Sequence, residues 1–212
     1  MIRFEAVLFD FGDTLFHSPS GADVMAEAGV DPEVAERLWA EIWASSKAPE
    51  ALARGRDRTP ELHASEWRRL FAPAEQLVPG MAALLYERVL LPLHWTPYPD
   101  TEPVLRELRQ RGARVGVISN IASPLRPVFA RHRLADYVDS YTHSYEHALE
   151  KPDQQLFRLA AERLGAEPER VLMVGDNHLA DGGAVLVGMT VLLLPMVKPG
   201  EERGLAAVLK LA

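Results

Sequence analysis

The chain has 212 residues, 48 % hydrophobic and 25 % charged, enough for one well-packed domain or for one domain carrying a large insertion. A formal net charge of -7 argues against a nucleic-acid partner, whose phosphates need clustered Lys and Arg. The absence of cysteine excludes disulfides, thiolate metal sites and cysteine nucleophiles, and without a secretory leader or a run of about 18 apolar residues the expectation is a cytoplasmic protein with no membrane partner.

In chain order, the first element is the apolar run Ala6-Val7-Leu8-Phe9, of strand length and ending at Asp10. Helical patterns follow. Asp31-Pro32 opens one with Val34, Leu38, Trp39, Ile42 and Trp43 on a stripe, and Thr59-Pro60 opens another carrying Trp67, Leu70 and Phe71. A further stripe, Met81, Leu84, Leu85 and Val89, follows Pro79-Gly80. Pro and Gly cluster at His17-Ser18-Pro19-Ser20-Gly21 and again at Pro97-Tyr98-Pro99, which suits a pair of hinge linkers. Residues 17–97 are therefore expected to form an all-helical insertion, with Trp39, Trp43 and Trp67 in its core and Trp95 and Tyr98 packing its hinge.

From residue 98 the pattern changes to alternation. A helix is expected from Asp100 or Thr101, as cap, to a stop at Gly112, with Val104, Leu105 and Leu108 on its buried face. A second runs from Asp153 to Gly165 with Leu156, Phe157, Ala160 and Leu164 on one face. Between and after them, Val115-Gly116-Val117-Ile118, Val171-Leu172-Met173-Val174 and Thr190-Val191-Leu192-Leu193-Leu194 are continuous apolar runs, as expected of strands buried on both faces of a parallel sheet. Residues 1–16 and 98–212 are thus expected to form an α/β core with right-handed βαβ connections.

The polar residues that follow these runs fall at the carboxyl edge of such a sheet, where ligands bind in open α/β folds. They are Asp10; Ser119 and Asn120; and Asp176 with Asp181 five residues on. Lys151, one of four lysines, precedes the helix that Asp153 opens. A lysine beside carboxylates can neutralise a phosphoryl group, and paired acids without thiolates suit a hard cation such as Mg2+. Each signal alone is also ordinary turn or cap chemistry. His143 and His147 have a helical metal spacing but fall in a stretch that reads as strand and loop, so no zinc pair is expected. His178 reads as a loop histidine, and His17 stands at the entrance to the insertion.

Taken in order, the signals resemble the four motifs of the haloacid dehalogenase superfamily of aspartate-nucleophile hydrolases. Phe9-Asp10-Phe11-Gly12-Asp13-Thr14-Leu15 resembles the first, Val117-Ile118-Ser119-Asn120 the second, Lys151-Pro152-Asp153 with Phe157 the third, and Val174-Gly175-Asp176 with Asp181 and Gly188-Met189 the fourth. The resemblance implies a Rossmann-like core with a helical cap inserted after the first strand. It also implies hydrolysis of small-molecule phosphate esters through an aspartyl-phosphate on Asp10. Mg2+ would be held by Asp10, the Gly12 carbonyl and Asp176, with Asp181 in support, while Ser119, Asn120 and Lys151 would bind the substrate. One position departs: the family's phosphatases carry a second Asp, the acid/base, where this chain has Gly12, and an Asp appears one place later as Asp13. Three readings stay open there. Asp13 takes over the acid/base role; or only substrates with good leaving groups turn over; or the chain is a binding protein. A metal-free 2-haloacid dehalogenase is a further alternative, weakened by the Gly175-Asp176 pair.

Overall fold

The structure is a computed structural model, which describes residues 4–198 and 200–212; the first three residues of the expected core and Pro199 lie outside it. Five strands form one sheet: β1 (Ala6–Phe9), β4 (Arg114–Ser119), β5 (Ser140–His143), β6 (Val171–Gly175) and β7 (Thr190–Leu193). Their spatial order is β5-β4-β1-β6-β7, and every pairing is parallel. The α/β class and the mainly parallel sheet are as the apolar runs predict.

β1 is the centre of the sheet, so all four of its residues are buried. Side chains alternate across a pleated strand, and the two faces of β1 accordingly feed two cores. Val7 and Phe9 join Val115, Val117, Leu172, Val174 and the helix face Val104, Leu105 and Leu108. Ala6 and Leu8 join Ile118, Val171, Met173 and the opposite helix face Leu156, Phe157, Ala160 and Ala161. Removing one such side chain from water is worth about 1.5–3 kcal/mol, which fixes register because a one-residue slip would exchange the two sets.

The helices on these faces are Thr101–Gln110 and Gln154–Arg163. Gly112, at φ 78, and Gly165, at φ 61, follow them in the left-handed conformation that favours glycine. Asp153 caps the second as expected, its carboxylate accepting from the Gln155 amide at 2.8 Å. Asp100 does not cap the first. Its two oxygens accept from the amides of Arg203, Gly204 and Leu205 at 2.8, 2.9 and 2.8 Å, and so anchor the chain's last segment instead.

Two strands depart from expectation. β5 is not announced by an apolar run, because Ser-Tyr-Thr-His is an edge strand whose first two residues are only half-buried. β7 is the opposite edge, and Leu193 is 40 % exposed, so the run from Thr190 is not buried on both faces.

Between β1 and the Thr101–Gln110 helix the structure is helical, as the amphipathic stripes predict. Helices span Gly21–Glu27, Pro32–Ser46, Pro60–Leu70 and Met81–Leu85, the last continuing as a π-helical turn, Tyr86–Leu90. Asp31 and Thr59 cap their helices through side-chain oxygens. Trp67, Phe71, Met81 and Leu85 form a third hydrophobic cluster with Trp39 and Trp43 packed against it. The chain enters and leaves this segment through an antiparallel ladder of two-residue strands, β2 (Phe16–His17) against β3 (Thr96–Pro97). Among the described residues no helix is long and apolar enough to cross a membrane.

Candidate active site

The carboxyl ends of β1, β4 and β6 converge on one point. Asp10 emerges directly from β1, its amide still donating to the Val174 carbonyl of β6 at 2.8 Å. One carboxylate oxygen, Oδ1, accepts from the Phe11 amide at 2.7 Å and from Lys151 Nζ at 2.8 Å. Lys151 is buried, and its ammonium also donates to Asp181 Oδ1 at 2.6 Å. Asp181 Oδ2 accepts from the Asp176 and Asn177 amides at 3.1 and 3.0 Å, so both its oxygens are engaged. Asp176 Oδ1 accepts weakly from the Thr14 hydroxyl at 3.4 Å. One carboxylate oxygen from each of Asp10, Asp176 and Asp181 fits within a 4.8 Å cluster.

Gly175 makes this approach possible. A Cβ there would stand 2.1 Å from Asp181 Oδ2, inside any tolerable contact. Lys151 is placed by Asn120 at the end of β4. The Asn120 Oδ1 accepts from the Lys151 amide at 2.7 Å, and Nδ2 donates to the Lys151 carbonyl at 3.0 Å. Asn120 therefore spends its amide on positioning the lysine, while Ser119, buried beside it, lines the cavity with Gly12 and Asp13.

Burial pushes the Asp10 carboxyl up to about 8; Lys151 opposes the rise, and the negative charges of Asp181 and Asp176 add to it. Burial, then repulsion from Asp13 and Asp181, raises Asp176 to about 6 against the pull of Lys151 and Arg203. Burial disfavours the Lys151 ammonium, but Asp10 and Asp181 hold it above the ordinary lysine range, so it stays charged. Four carboxylates, Asp10, Asp13, Asp176 and Asp181, thus face the three cations Lys151, Arg203 and Lys47. This excess of negative charge among oxygen-only donors fits a hard divalent cation, because such an ion would relieve the crowding that raises Asp10 and Asp176. Asp10 and Asp176 would hold it, with the Gly12 carbonyl beside them; Asp181, already saturated by Lys151 and two amides, would act from behind.

Asp13 is at φ 52, the left-handed region, with its amide donating to the Phe16 carbonyl at 2.7 Å. Burial raises its carboxyl, with Lys47, Arg203 and His17 opposing. Its negative charge adds to the rise at Asp176. Gly12 is covered by Trp95. A Cβ on Gly12 would approach the indole to 3.0 and 3.2 Å, and that ring is pinned by stacking on Phe11 at 5.0 Å and by its Nε1 donating to the Val89 carbonyl at 2.7 Å.

None of the histidines singled out in the sequence bonds to Asp10, Lys151, Asp176 or Asp181. His143 is buried, with Nε2 accepting from the Leu125 amide at 3.3 Å and Nδ1 facing Glu146 at 2.9 Å, so neither ring nitrogen is available as a ligand; His147 closes a one-turn helix, Ser144–His147. His17 sits in the β2 and β3 ladder with its ring 5.2 Å from Tyr98, and its charge bears on Asp13. His178 is exposed at the cavity mouth.

The cavity, about 710 Å³, has a second wall that the sequence motifs do not announce. Lys47, Arg56, Asp57, Arg58, His63 and Trp67 supply it from the helical segment. Arg56 stacks on Trp67 at 4.8 Å, and Asp57 lies 3.6 Å from both Arg56 Nε and His63 Nε2. The run Arg54-Gly55-Arg56-Asp57-Arg58 between two helices, dense in charge, was the available signal.

The family model for haloacid dehalogenase-like hydrolases matches residues 4–184. A glyceraldehyde 3-phosphate phosphatase of Methanopyrus kandleri is 30 % identical over 87 % of this chain and 81 % of its own length. That of Methanothermobacter thermautotrophicus is 28 % identical over 94 % and 89 %. Among solved structures, a HAD phosphatase from Thermococcus onnurineus is 27 % identical and superposes with a TM-score of 0.63, covering 97 % of this chain and 96 % of that one. A dehalogenase at 20 % identity shares the fold, with a TM-score of 0.76 over 99 % and 97 %. With Asp10 and Asp176 following the adjacent strands β1 and β6, Lys151 bridging Asp10 and Asp181, and the family match running through all of them, the chain belongs to the haloacid dehalogenase-like hydrolases.

Proposed function

We propose that this hydrolase is a phosphatase of small phosphorylated metabolites, using Asp10 as nucleophile. The observation that carries the reading is the array of Asp10, Lys151 and Asp181, joined at 2.8 and 2.6 Å, with Asp10 and Lys151 lining one cavity at the end of the central strand and Asp181 buried behind them. The chain's phosphatase relatives support it. A carboxylate oxygen of Asp10 attacks phosphorus, the ester P–O bond breaks toward the leaving oxygen, and water then attacks the aspartyl-phosphate to release phosphate and restore Asp10. Lys151 holds Asp10 and faces the incoming phosphoryl oxygens, with Ser119 beside it. Mg2+ at Asp10, Asp176 and the Gly12 carbonyl would offset the repulsion between an anionic nucleophile and an anionic ester. Residues 17–97 act as the cap, closing the cavity with Arg56, Asp57 and His63 opposite the nucleophile. Nucleic acids and membranes have no part in this reading, and the cytoplasm suits a substrate of this class.

Leaving-group protonation is the weak step. Trp95 occupies the space beside Gly12, and Asp13 is held at φ 52 with its amide on the Phe16 carbonyl. Losing a positioned acid costs about 10²–10⁴ in rate, so aryl and acyl phosphates should turn over well ahead of alkyl phosphates. The test is phosphate release from p-nitrophenyl phosphate with Mg2+, by wild type and Asp10→Asn. Activity that is lost in the variant and in EDTA is expected; equal release by the two proteins removes Asp10 as nucleophile.

A further inference from the structure

Among the described residues Arg203 is the largest fully buried side chain, 1 % exposed, and stands 190 residues after the loop it touches. Its guanidinium is satisfied by carbonyls. Nε donates to the Asp13 carbonyl at 2.5 Å, Nη2 to that of Leu194 at 3.2 Å, and Nη1 to that of Pro195. The Tyr98 ring lies 5.8 Å from the guanidinium carbon. Its backbone is held as firmly, because the Asp100 carboxylate gathers the amides of residues 203, 204 and 205.

Burying a guanidinium costs several kcal/mol unless every donor is satisfied, and a well-packed apolar residue of similar volume is often no less stable. Beyond offsetting the charges of Asp13 and Asp176, stability gives little reason for an arginine at this place. The carbonyl it grips belongs to Asp13, a non-glycine residue at φ 52, which is an uncommon and costly backbone conformation. Asp13 lies between Asp10 and Thr14, whose hydroxyl faces Asp176. Turning the Asp13 peptide would swing the adjoining Gly12 carbonyl and the Asp10 backbone with it.

We infer that Arg203 is a positioning residue for the nucleophile loop: gripping the Asp13 carbonyl holds residues 10–14 in the geometry that aims Asp10 and the Gly12 carbonyl. Its effect on turnover rests on the phosphatase reading above; its effect on the loop does not. A misplacement of about 1 Å costs on the order of 10²-fold in rate, which sets the scale of the expected loss.

The experiment uses Arg203→Met, which keeps the length and apolar packing, and Arg203→Lys, which keeps the charge and loses the fork. Two readouts are taken on the full chain. The first is hydrogen exchange of the peptide covering residues 10–16, with the β4 peptide as internal control. Exchange at least tenfold faster in Arg203→Met, with β4 unchanged, is expected; unchanged exchange in residues 10–16 overturns the inference whether or not the protein is a phosphatase. The second is p-nitrophenyl phosphate hydrolysis. Arg203→Met should lose ~10–100-fold in kcat with KM changed less than about threefold, and Arg203→Lys should recover part of the loss. Wild-type kcat in both variants, or a loss confined to KM, overturns it. Should Arg203→Met fail to fold, Arg203→Lys carries both readouts, and wild-type exchange together with wild-type kcat in that variant is the refuting result. A wild-type enzyme that releases no phosphate refutes the phosphatase reading alone, and the exchange measurement still decides the role of Arg203.

Discussion

Gly12 shows how much one side chain's absence can decide. Its backbone is outside the left-handed region, so a side chain is conformationally allowed there, and the obstacle is the Trp95 indole at 3.0 Å. Restoring an aspartate is therefore a packing problem before it is a chemical one. Gly12→Asp by itself should lower stability by about 1–3 kcal/mol, as overpacking does, and leave alkyl-phosphate hydrolysis no faster. Adding Trp95→Ala makes room, and the double variant should then hydrolyse an alkyl phosphate up to ~10²-fold faster than wild type. Steady-state rates on an alkyl and an aryl phosphate, with thermal melts, check both; a single Gly12→Asp variant that is faster and equally stable would show that the indole is no barrier. Gly175 is the reverse case. The motif Val174-Gly175-Asp176 is plain in the sequence, but the reason for its glycine, the Asp181 carboxylate 2.1 Å from a Cβ, exists only in three dimensions.

Among the elements, the end of β4 and the loop before the Gln154–Arg163 helix are tied by one side chain. Asn120 holds both backbone groups of Lys151, so Asn120→Ala should loosen the ammonium from Asp10 and Asp181. We expect kcat to fall by roughly 10–100-fold, while Ser119→Ala acts chiefly on KM; wild-type kcat in Asn120→Ala would show that Lys151 needs no such tether. Asp57, in the loop before the helix Pro60–Leu70, and His63, on that helix, titrate in opposite senses. Burial raises Asp57 from 3.8 to about 7, Arg56 opposing and Glu150 adding, and burial with Arg56 lowers His63 from 6.5 to about 4. Between about pH 4 and 7 the folded chain keeps an Asp57 proton that the unfolded chain has released, so that term weakens stability as pH rises. Between about pH 4 and 6.5 the unfolded chain keeps a His63 proton that the folded chain has released, so that term strengthens it. In the wild type the two slopes oppose. Asp57→Asn leaves the His63 slope alone, and its Tm should climb across pH 4–6.5 more steeply than that of wild type; parallel Tm profiles would mean that Asp57 carries no raised pKa.

On the scale of the whole molecule, the cavity exists because two parts of the chain meet. The Asp57 amide donates to Glu150, the residue before Lys151, at 2.6 Å, the Ser144 hydroxyl donates to the Asp57 carbonyl at 2.5 Å, and Arg58 faces Glu150 at 3.6 Å. These contacts place the helical segment over the strand ends. The four apolar runs, the helix caps at Asp31, Thr59 and Asp153, the helical stretch between β1 and the rest, and the placement of Asp10, Ser119, Asn120 and Asp176 after strand runs were legible along the chain, because periodicity, capping and strand-end position are local properties of a sequence. The strand order, the edge strand Ser140–His143, the indole over Gly12, the second wall of the cavity, the Asp100 carboxylate turned to residues 203–205 and the Arg203 grip on Asp13 were not. Each of these joins residues distant in sequence, and their energies come from desolvation, steric fit and charge neighbourhoods that arise only when the chain closes on itself.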